Sequence, residues 1–267
     1  MSNVQNRIQS LKDYKLTSSF AECRGIFEGH VFFSPINPDE ATVKKYQEIT
    51  QQLVDEDIKN ETGNSEVKAC VLSLDFKGAG YVRVMQSSRY FHAEIVEAAF
   101  NELKYEADRY QKLFDLAFQN KEIPVQVCVI REKLEIVARS AGVPQEDKEA
   151  ALHPKKYFEF HIRVKRKGEE DDGVAISEEE LKELKDISTK FSEMFSIPVP
   201  LSFNGTRLHQ RYLNVRFEKL GLNSCMERVN AIVEEIHKSK TFEWMKTIAE
   251  YVPVDSFRQL DSGWIDF

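Results

Sequence analysis

Phe27-Glu28-Gly29-His30-Val31-Phe32-Phe33 and, 131 residues further on, Phe158-Glu159-Phe160-His161-Ile162-Arg163-Val164 share a Phe-Glu-x-His-aliphatic pattern. In the second stretch apolar and polar residues alternate, which is how a strand with one buried face reads. An amphipathic helix with an acidic start follows each stretch, at 39–54 and at 177–195, and the later one opens as the capping box Ser177-x-x-Glu180. A short apolar strand comes next in each half, at 67–72 and 197–203. Pro198 and Pro200 send the second of these to a sheet edge, because proline cannot donate to a ladder. Third strands at 80–84 and 211–215 again stand 131 residues apart. Second helices at 91–113 and 224–238 and closing strands at 125–130 and 248–254 complete the parallel.

The repeated order β-α-β-β-α-β sets the expected fold class: α+β, a tandem duplication of ferredoxin-like antiparallel sandwiches. Right-handed crossovers put the first and third strands side by side in the centre of each sheet. The chain then divides into an N-terminal helix at 1–20, a first repeat at 21–143, a linker at 144–154 and a second repeat at 155–267.

Composition narrows the classes of protein this can be. The 267 residues are 42% hydrophobic and 30% charged, enough for a sizeable core, which excludes a disordered chain or a disulfide-stapled miniprotein. No apolar run reaches the eighteen residues of a membrane span, and residues 1–15 lack an apolar signal core, so a cytoplasmic protein is expected. Cys23, Cys70, Cys128 and Cys225 are scattered without a C-x-x-C pair, which suits free thiols, with Cys70 and Cys128 in apolar runs. A net charge of −7 argues against a nucleic-acid partner.

Strand periodicity points to a candidate site. Phe158, Phe160, Ile162 and Val164 share the face expected under the helices, with Leu213, Val215 and Phe217. The opposite face carries Glu159, His161, Arg163 and Lys165, with Tyr212, Asn214 and Arg216 on the third strand. In the first half Glu28, His30 and Phe32 share a face, and Tyr81, Arg83 and Met85 are read as its third-strand neighbours. An antiparallel sheet can simply solvate such a face. Two faces of this kind in one chain can also line a cleft, with His30 and His161 as candidate acid/base groups. Glu28, Arg83, Glu159, Arg163, Tyr212, Asn214 and Arg216 are then the candidate ligand contacts.

A histidine on one strand of each duplicated lobe resembles the arrangement of the two-histidine phosphoesterases, whose motif is His-x-Thr/Ser used twice. That resemblance implies phosphoester or nucleotide hydrolysis with one histidine from each half. The chain reads His30-Val31-Phe32 and His161-Ile162-Arg163, so Phe32 and Arg163 stand where that family keeps its hydroxyls. The second half also resembles small proteins of unassigned activity that end in Asp-x-Gly-Trp, here Asp261-Ser262-Gly263-Trp264. Glu28 and His30, or Glu159 and His161, project the same way from a strand as a chelating pair would, but the element order of known paired-module metal enzymes is not matched and no metal is assigned. Lys77 to Val84 reads as a glycine turn before a strand, and 165–173 as a charged loop. The sequence thus supports a binding or interaction protein with a cleft for a small anionic ligand or a protein partner. The alternative is a hydrolase using His30 and His161, and no cofactor is assigned.

Overall fold

A computed structural model of the chain describes residues 23–60, 67–75, 81–168, 175–202 and 209–261. The expected N-terminal helix, the glycine turn at 77–80, the acidic part of the 165–173 loop and the Gly263-Trp264 ending lie outside the described residues. The elements run β1 (Gly25–Ser34), α1 (Glu40–Lys59), β2 (Val67–Asp75), β3 (Tyr81–Ala93), α2 (Val96–Gln119), β4 (Cys128–Val137) and α3 (Asp147–Ala150). They continue as β5 (Tyr157–Arg166), α4 (Glu178–Phe195), β6 (Leu201–Ser202), β7 (Gln210–Glu218), α5 (Leu222–Lys238) and β8 (Phe242–Asp255). The protein is α+β, and the order β-α-β-β-α-β occurs twice.

The chain forms two compact units. Among the described residues the first comprises 23–60, 67–72, 82–142 and 252–260; the second comprises 73–75, 81, 143–168, 175–202, 209–251 and 261. Strands of the first unit are hydrogen-bonded in the order β2-β3-β1-β4, with the end of β8 beside β4; those of the second follow β8-β5-β7-β6. β1 runs antiparallel to β3 and β4, and β7 runs antiparallel to β5 and β6. First and third strands are therefore central neighbours in each unit and the second strand lies at an edge, as the crossover rule requires.

In the first unit Asp39 caps α1 by accepting from the Thr42 backbone N–H at 2.8 Å. Val43, Tyr46, Ile49 and Leu53 then recur at helical spacing on its buried face. α2 presents Phe100, Leu103, Tyr110 and Phe114 in the same way. Phe33 of β1 fits among Tyr46, Tyr110 and Phe114, with ring centroids 5.0–5.5 Å away. The close approach of α2 to β1 needs Gly29, where a Cβ would come within 2.5 Å of Phe91 and 2.8 Å of Leu103. Arg89, Asp57, Glu106 and Arg109 form a buried charge network between strand and helices. Arg89 pairs with Asp57 and, at 3.3 Å, with Glu106, while Arg109 reaches Asp57 at 2.8 Å.

The second unit is built on the alternation quoted first. Phe158, Phe160, Ile162 and Val164 pack with Leu213, Val215 and Phe217 against Leu184 and Phe191 of α4 and Val229 and Ile232 of α5. Ser177 and Glu180 close the expected capping box. Glu180 also takes the Arg166 guanidinium on both oxygens, at 2.7 and 3.0 Å, and these bonds with those from Ser177 hold its carboxyl down at about 2. The 144–154 segment, expected as a linker, packs against the start of α5. Pro144 O and Gln145 O accept from the Leu222 and Asn223 backbone N–H groups, and Asp147 accepts from that of Gly221 at 2.7 Å.

Several boundaries differ from the sequence reading. β4 runs over Cys128–Val137 rather than 125–130, because Leu134 and Ile136 continue the inward alternation beyond the apolar run. β3 extends to Ala93, paired with Gly25, so α2 starts at Val96 rather than near 91. Among the described residues β6 covers only Leu201–Ser202: the proline-bearing stretch before it contributes a carbonyl, Pro200 O, that accepts from the Asn214 backbone N–H at 2.9 Å. Cys128 is buried as expected, whereas Cys70 is only half-buried, and all four cysteines are free.

At the end of β8 Asp255 holds Arg131 of β4 through a bidentate fork, 2.8 Å from Nε and 2.6 Å from Nη2, with both side chains 1% exposed. Breaking such a buried pair leaves one charge uncompensated, so Asp255→Ala is expected to cost about 3–5 kcal/mol in urea unfolding. The double variant Arg131→Met, Asp255→Leu should recover a large part of that loss.

Candidate functional site

β1 and its neighbours place three polar rows on the face turned away from the helices. Register pairs Glu28 with Tyr90 and Glu135, His30 with Ser88 and Lys133, and Phe32 with Gln86 and Arg131. This face is not solvated: His30 is 8% exposed, Lys133 and Glu135 are each 5% exposed, and Arg131 is buried too. Burial forces every charge to find a partner. His30 Nε2 donates to Glu135 Oε2 at 2.7 Å, and the Gln86 amide nitrogen donates to Nδ1 at 2.5 Å. Lys133 pairs with the other Glu135 oxygen. Burial by itself pulls the His30 pKa down, but the charge and hydrogen bond of Glu135, with Glu28 adding to them and Lys133 opposing, leave it above the ordinary value.

Arg83 is not on this face. Met85 pairs with Phe33 and Gln86 with Phe32, so the odd-numbered residues of β3 from Arg83 onward turn to the helices. Arg83 accordingly bonds Glu40 at the start of α1, at 2.7 Å, and is half-buried. The sequence reading took β3 one residue out of phase, and a one-residue change moves every side chain to the opposite face.

The second unit assembles the other candidates as expected. Glu159, His161 and Arg163 of β5 pair with Arg216, Asn214 and Tyr212 of β7 on the helix-free face. His161 Nδ1 donates to Asn214 Oδ1 at 2.6 Å. The Asn214 amide in turn donates to Ser202 Oγ at 2.9 Å and to Pro200 O at 3.3 Å, so the proline-bearing edge fixes which atom faces the histidine. On the other side Nε2 lies 3.5 Å from Glu250 and 3.9 Å from Glu159. Burial opposes the charged ring, yet the Glu250 hydrogen bond, the Glu159 and Glu250 charges and the Asn214 bond together raise its pKa to about 9. His161 is thus an imidazolium at neutral pH.

The two arginines of this face have different surroundings. Arg216 is buried, bonded to Glu159 at 3.0 Å and stacked over the Tyr157 ring at 5.0 Å. Arg163 is half-buried and held by the neutral Gln210 side chain, whose Oε1 accepts from Nε at 2.8 Å and also from Nη2. Among the described residues it has no carboxylate partner. Gln210 is itself tied to His209 Nε2 at 2.8 Å. Tyr212 stands directly across from Arg163.

Glu135, Lys133 and Gln86 in the first unit, and Gln210 and Glu250 in the second, were missed by the sequence reading. The alternation Lys133-Leu134-Glu135-Ile136 could have revealed the first two, and extending the Tyr212-Asn214-Arg216 row by one step reaches Gln210. Glu250 carries no local signal, since only pairing of β8 with β5 brings it to His161. His30 and His161 belong to different units, and each is engaged by carboxylates of its own.

No family model matches the sequence, and no curated protein does either. Among solved structures the chain is similar to a heme-binding protein from Thermus thermophilus, at 12% identity and a TM-score of 0.28, covering 86% of this chain and 91% of that one. A dye-decolorizing protein from V. cholerae matches at 11% identity and a TM-score of 0.26, over 93% and 99% of the two chains. A mutant chlorite dismutase from Candidatus Nitrospira defluvii, in complex with cyanide, matches at 12% and 0.27, over 92% and 94%. At such TM-scores these likenesses do not bear on what this chain binds.

The environment of His161 is open to direct measurement. A raised folded-state pKa contributes stability that is fully present below the unfolded value of 6.5 and is lost as pH rises through about 9. Ring resonances of His161 should titrate near pH 9, and unfolding free energy should fall across that window. Glu250→Gln should shift the midpoint down and flatten the loss; a wild-type midpoint near 6.5 would contradict the assignment.

Proposed function

We propose that the chain is a binding protein whose second unit holds a small anionic ligand on its helix-free sheet face, with Arg163 as the principal contact. The observation that carries this reading is the Arg163 guanidinium, oriented by a neutral amide with no carboxylate to neutralise it among the described residues. Gln210 engages Nε and Nη2, which leaves N–H donors of the planar fork for a carboxylate or phosphate oxygen. Tyr212 adds a half-buried phenol directly across the ladder. His161 adds a second positive charge two residues along β5, roughly 7 Å away by strand geometry. Glu159 and Arg216 neutralise each other and, with Asn214, position His161 rather than contact the ligand. Lys165 is similarly engaged, by Glu243 at 3.0 Å.

This reading needs only the second unit, and Glu28 and Arg83 take no part in it. No observation on either histidine favours phosphoester hydrolysis. The recurring β-α-β-β-α-β order and the two Phe-Glu-x-His strands further support descent of both units from one duplicated ancestor.

Isothermal titration of the full chain with inorganic phosphate, pyrophosphate and malonate tests the proposal. At least one should bind at pH 7, and Arg163→Gln should weaken it about tenfold or more, the worth of one charge-assisted hydrogen bond. Tyr212→Phe should weaken it less, and affinity should drop above pH 9 as His161 discharges. Absence of binding by all three anions, or binding indifferent to Arg163→Gln, would overturn the reading.

A further inference from the structure

The first unit carries a second constellation, independent of the anion site. Ligand atoms of Glu28, His30 and Glu135 all lie within 4.8 Å of one another. We propose that these three residues bind a first-row divalent cation, with Zn²⁺ as the reference ion. One imidazole and two carboxylates are a donor set suited to such ions.

Geometry supports this beyond mere proximity. Two ligands bound at about 2.1 Å stand roughly 3.0–3.4 Å apart at octahedral or tetrahedral angles. His30 Nε2 and Glu135 Oε2, 2.7 Å apart, need only a small rotation to admit an ion between them. Each donor also has an outer partner that aims it, as metal ligands characteristically do. Gln86 lies against His30 Nδ1 and leaves Nε2 toward the acids; with Nε2 on the ion the ring proton sits on Nδ1, and the Gln86 amide turns its oxygen to accept it. Lys133 takes Glu135 Oε1, and Oε2 is the oxygen turned to His30. Tyr90, directly across from Glu28, hydrogen-bonds its carboxylate.

The charge count points the same way. Glu28 and Glu135 bring two negative charges, and Lys133 answers one of them. Among the described residues Glu28 makes no ion pair, so its charge on this largely buried face is one that a cation can answer. His30 and Glu135 are buried while Glu28 is half-buried, which gives an ion a route in along the Glu28 side. Three protein donors leave coordination positions for solvent or a further ligand.

The test uses the full chain stripped with a chelator and kept reduced. Equilibrium dialysis against Zn²⁺, with metal analysis, should show one equivalent bound. Co²⁺ substitution should give visible bands without the near-ultraviolet thiolate charge-transfer band, since the four free cysteines take no part. Glu28→Gln, a half-exposed change that leaves the core alone, should weaken binding at least tenfold, and His30→Gln should do the same. Lys133→Met should tighten it, because the competing ammonium is gone; a merely structural cluster predicts no such gain. If His30→Gln fails to fold, Glu28→Gln and Lys133→Met decide, since they must move affinity in opposite directions. No stoichiometric uptake, uptake unchanged by Glu28→Gln, or a thiolate band would each overturn the proposal.

Discussion

A charged side chain on a buried sheet face must meet its counter-charge on the next strand, and both units are organised by that requirement. An ordinary antiparallel sheet leaves its helix-free side to water, where lysine and glutamate cost nothing. Here β1, β4, β5 and β7 carry histidine, arginine, lysine and glutamate that are largely withdrawn from solvent. Desolvating an unpaired charge costs several kcal/mol, so each must be answered within the ladder. The cross-strand pairs His30–Glu135, Arg131–Asp255 and Arg216–Glu159 follow from it. The two histidines differ in degree within the same logic: both have pKa values raised by carboxylates, but His161 has Glu250, Glu159 and Asn214 around it without a competing lysine.

Departures from complete pairing therefore carry information. Arg131 and Asp255 satisfy each other on both edges, and Arg216 and Glu159 are matched. Arg163 is not: a neutral amide orients it and its charge stands unanswered among the described residues. Glu28 is the opposite case, a carboxylate with a phenol for company. One unit thus offers a site for an anion and the other a site for a cation, and each follows from a charge its own ladder leaves over. Aromatic faces support the paired arginines, Phe32 beneath Arg131 at 4.9 Å and Tyr157 beneath Arg216 at 5.0 Å, which suits guanidinium groups removed from water.

Much of the fold was legible along the chain because its signals are local. The capping box at Ser177 and the acidic cap at Asp39 act within a few residues of themselves, and each marks the boundary expected of it; the prolines told of an edge position, though β6 begins only after them. The site of the second unit was legible for the same reason: in 158–164 the alternation is unbroken, so one face could be separated from the other by inspection. In the first unit Gly29 interrupts the pattern and β3 runs through Met85, Gln86, Ser87 and Ser88, where hydropathy does not distinguish in from out. The phase of Arg83 was lost there. The ion network of Arg89, Asp57, Glu106 and Arg109 escaped notice too, since nothing in their separate neighbourhoods announces that they meet.

Period-two alternation arises from the steric geometry of a single extended strand, and so the sequence by itself determined which residues of β5 and β7 share a face and that β-α-β-β-α-β occurs twice. Which partner each charge meets depends on register between strands separated by tens of residues, which no single strand encodes. Tertiary structure alone decided that Glu135 faces His30, that Glu250 reaches His161 and that Arg163 keeps an unanswered charge. It also decided that the helix-free face of the first unit is buried and that of the second half-buried rather than wet. Burial turns an ordinary polar surface into two sets of groups held in fixed geometry, because in a low-dielectric setting every uncompensated charge calls for a partner.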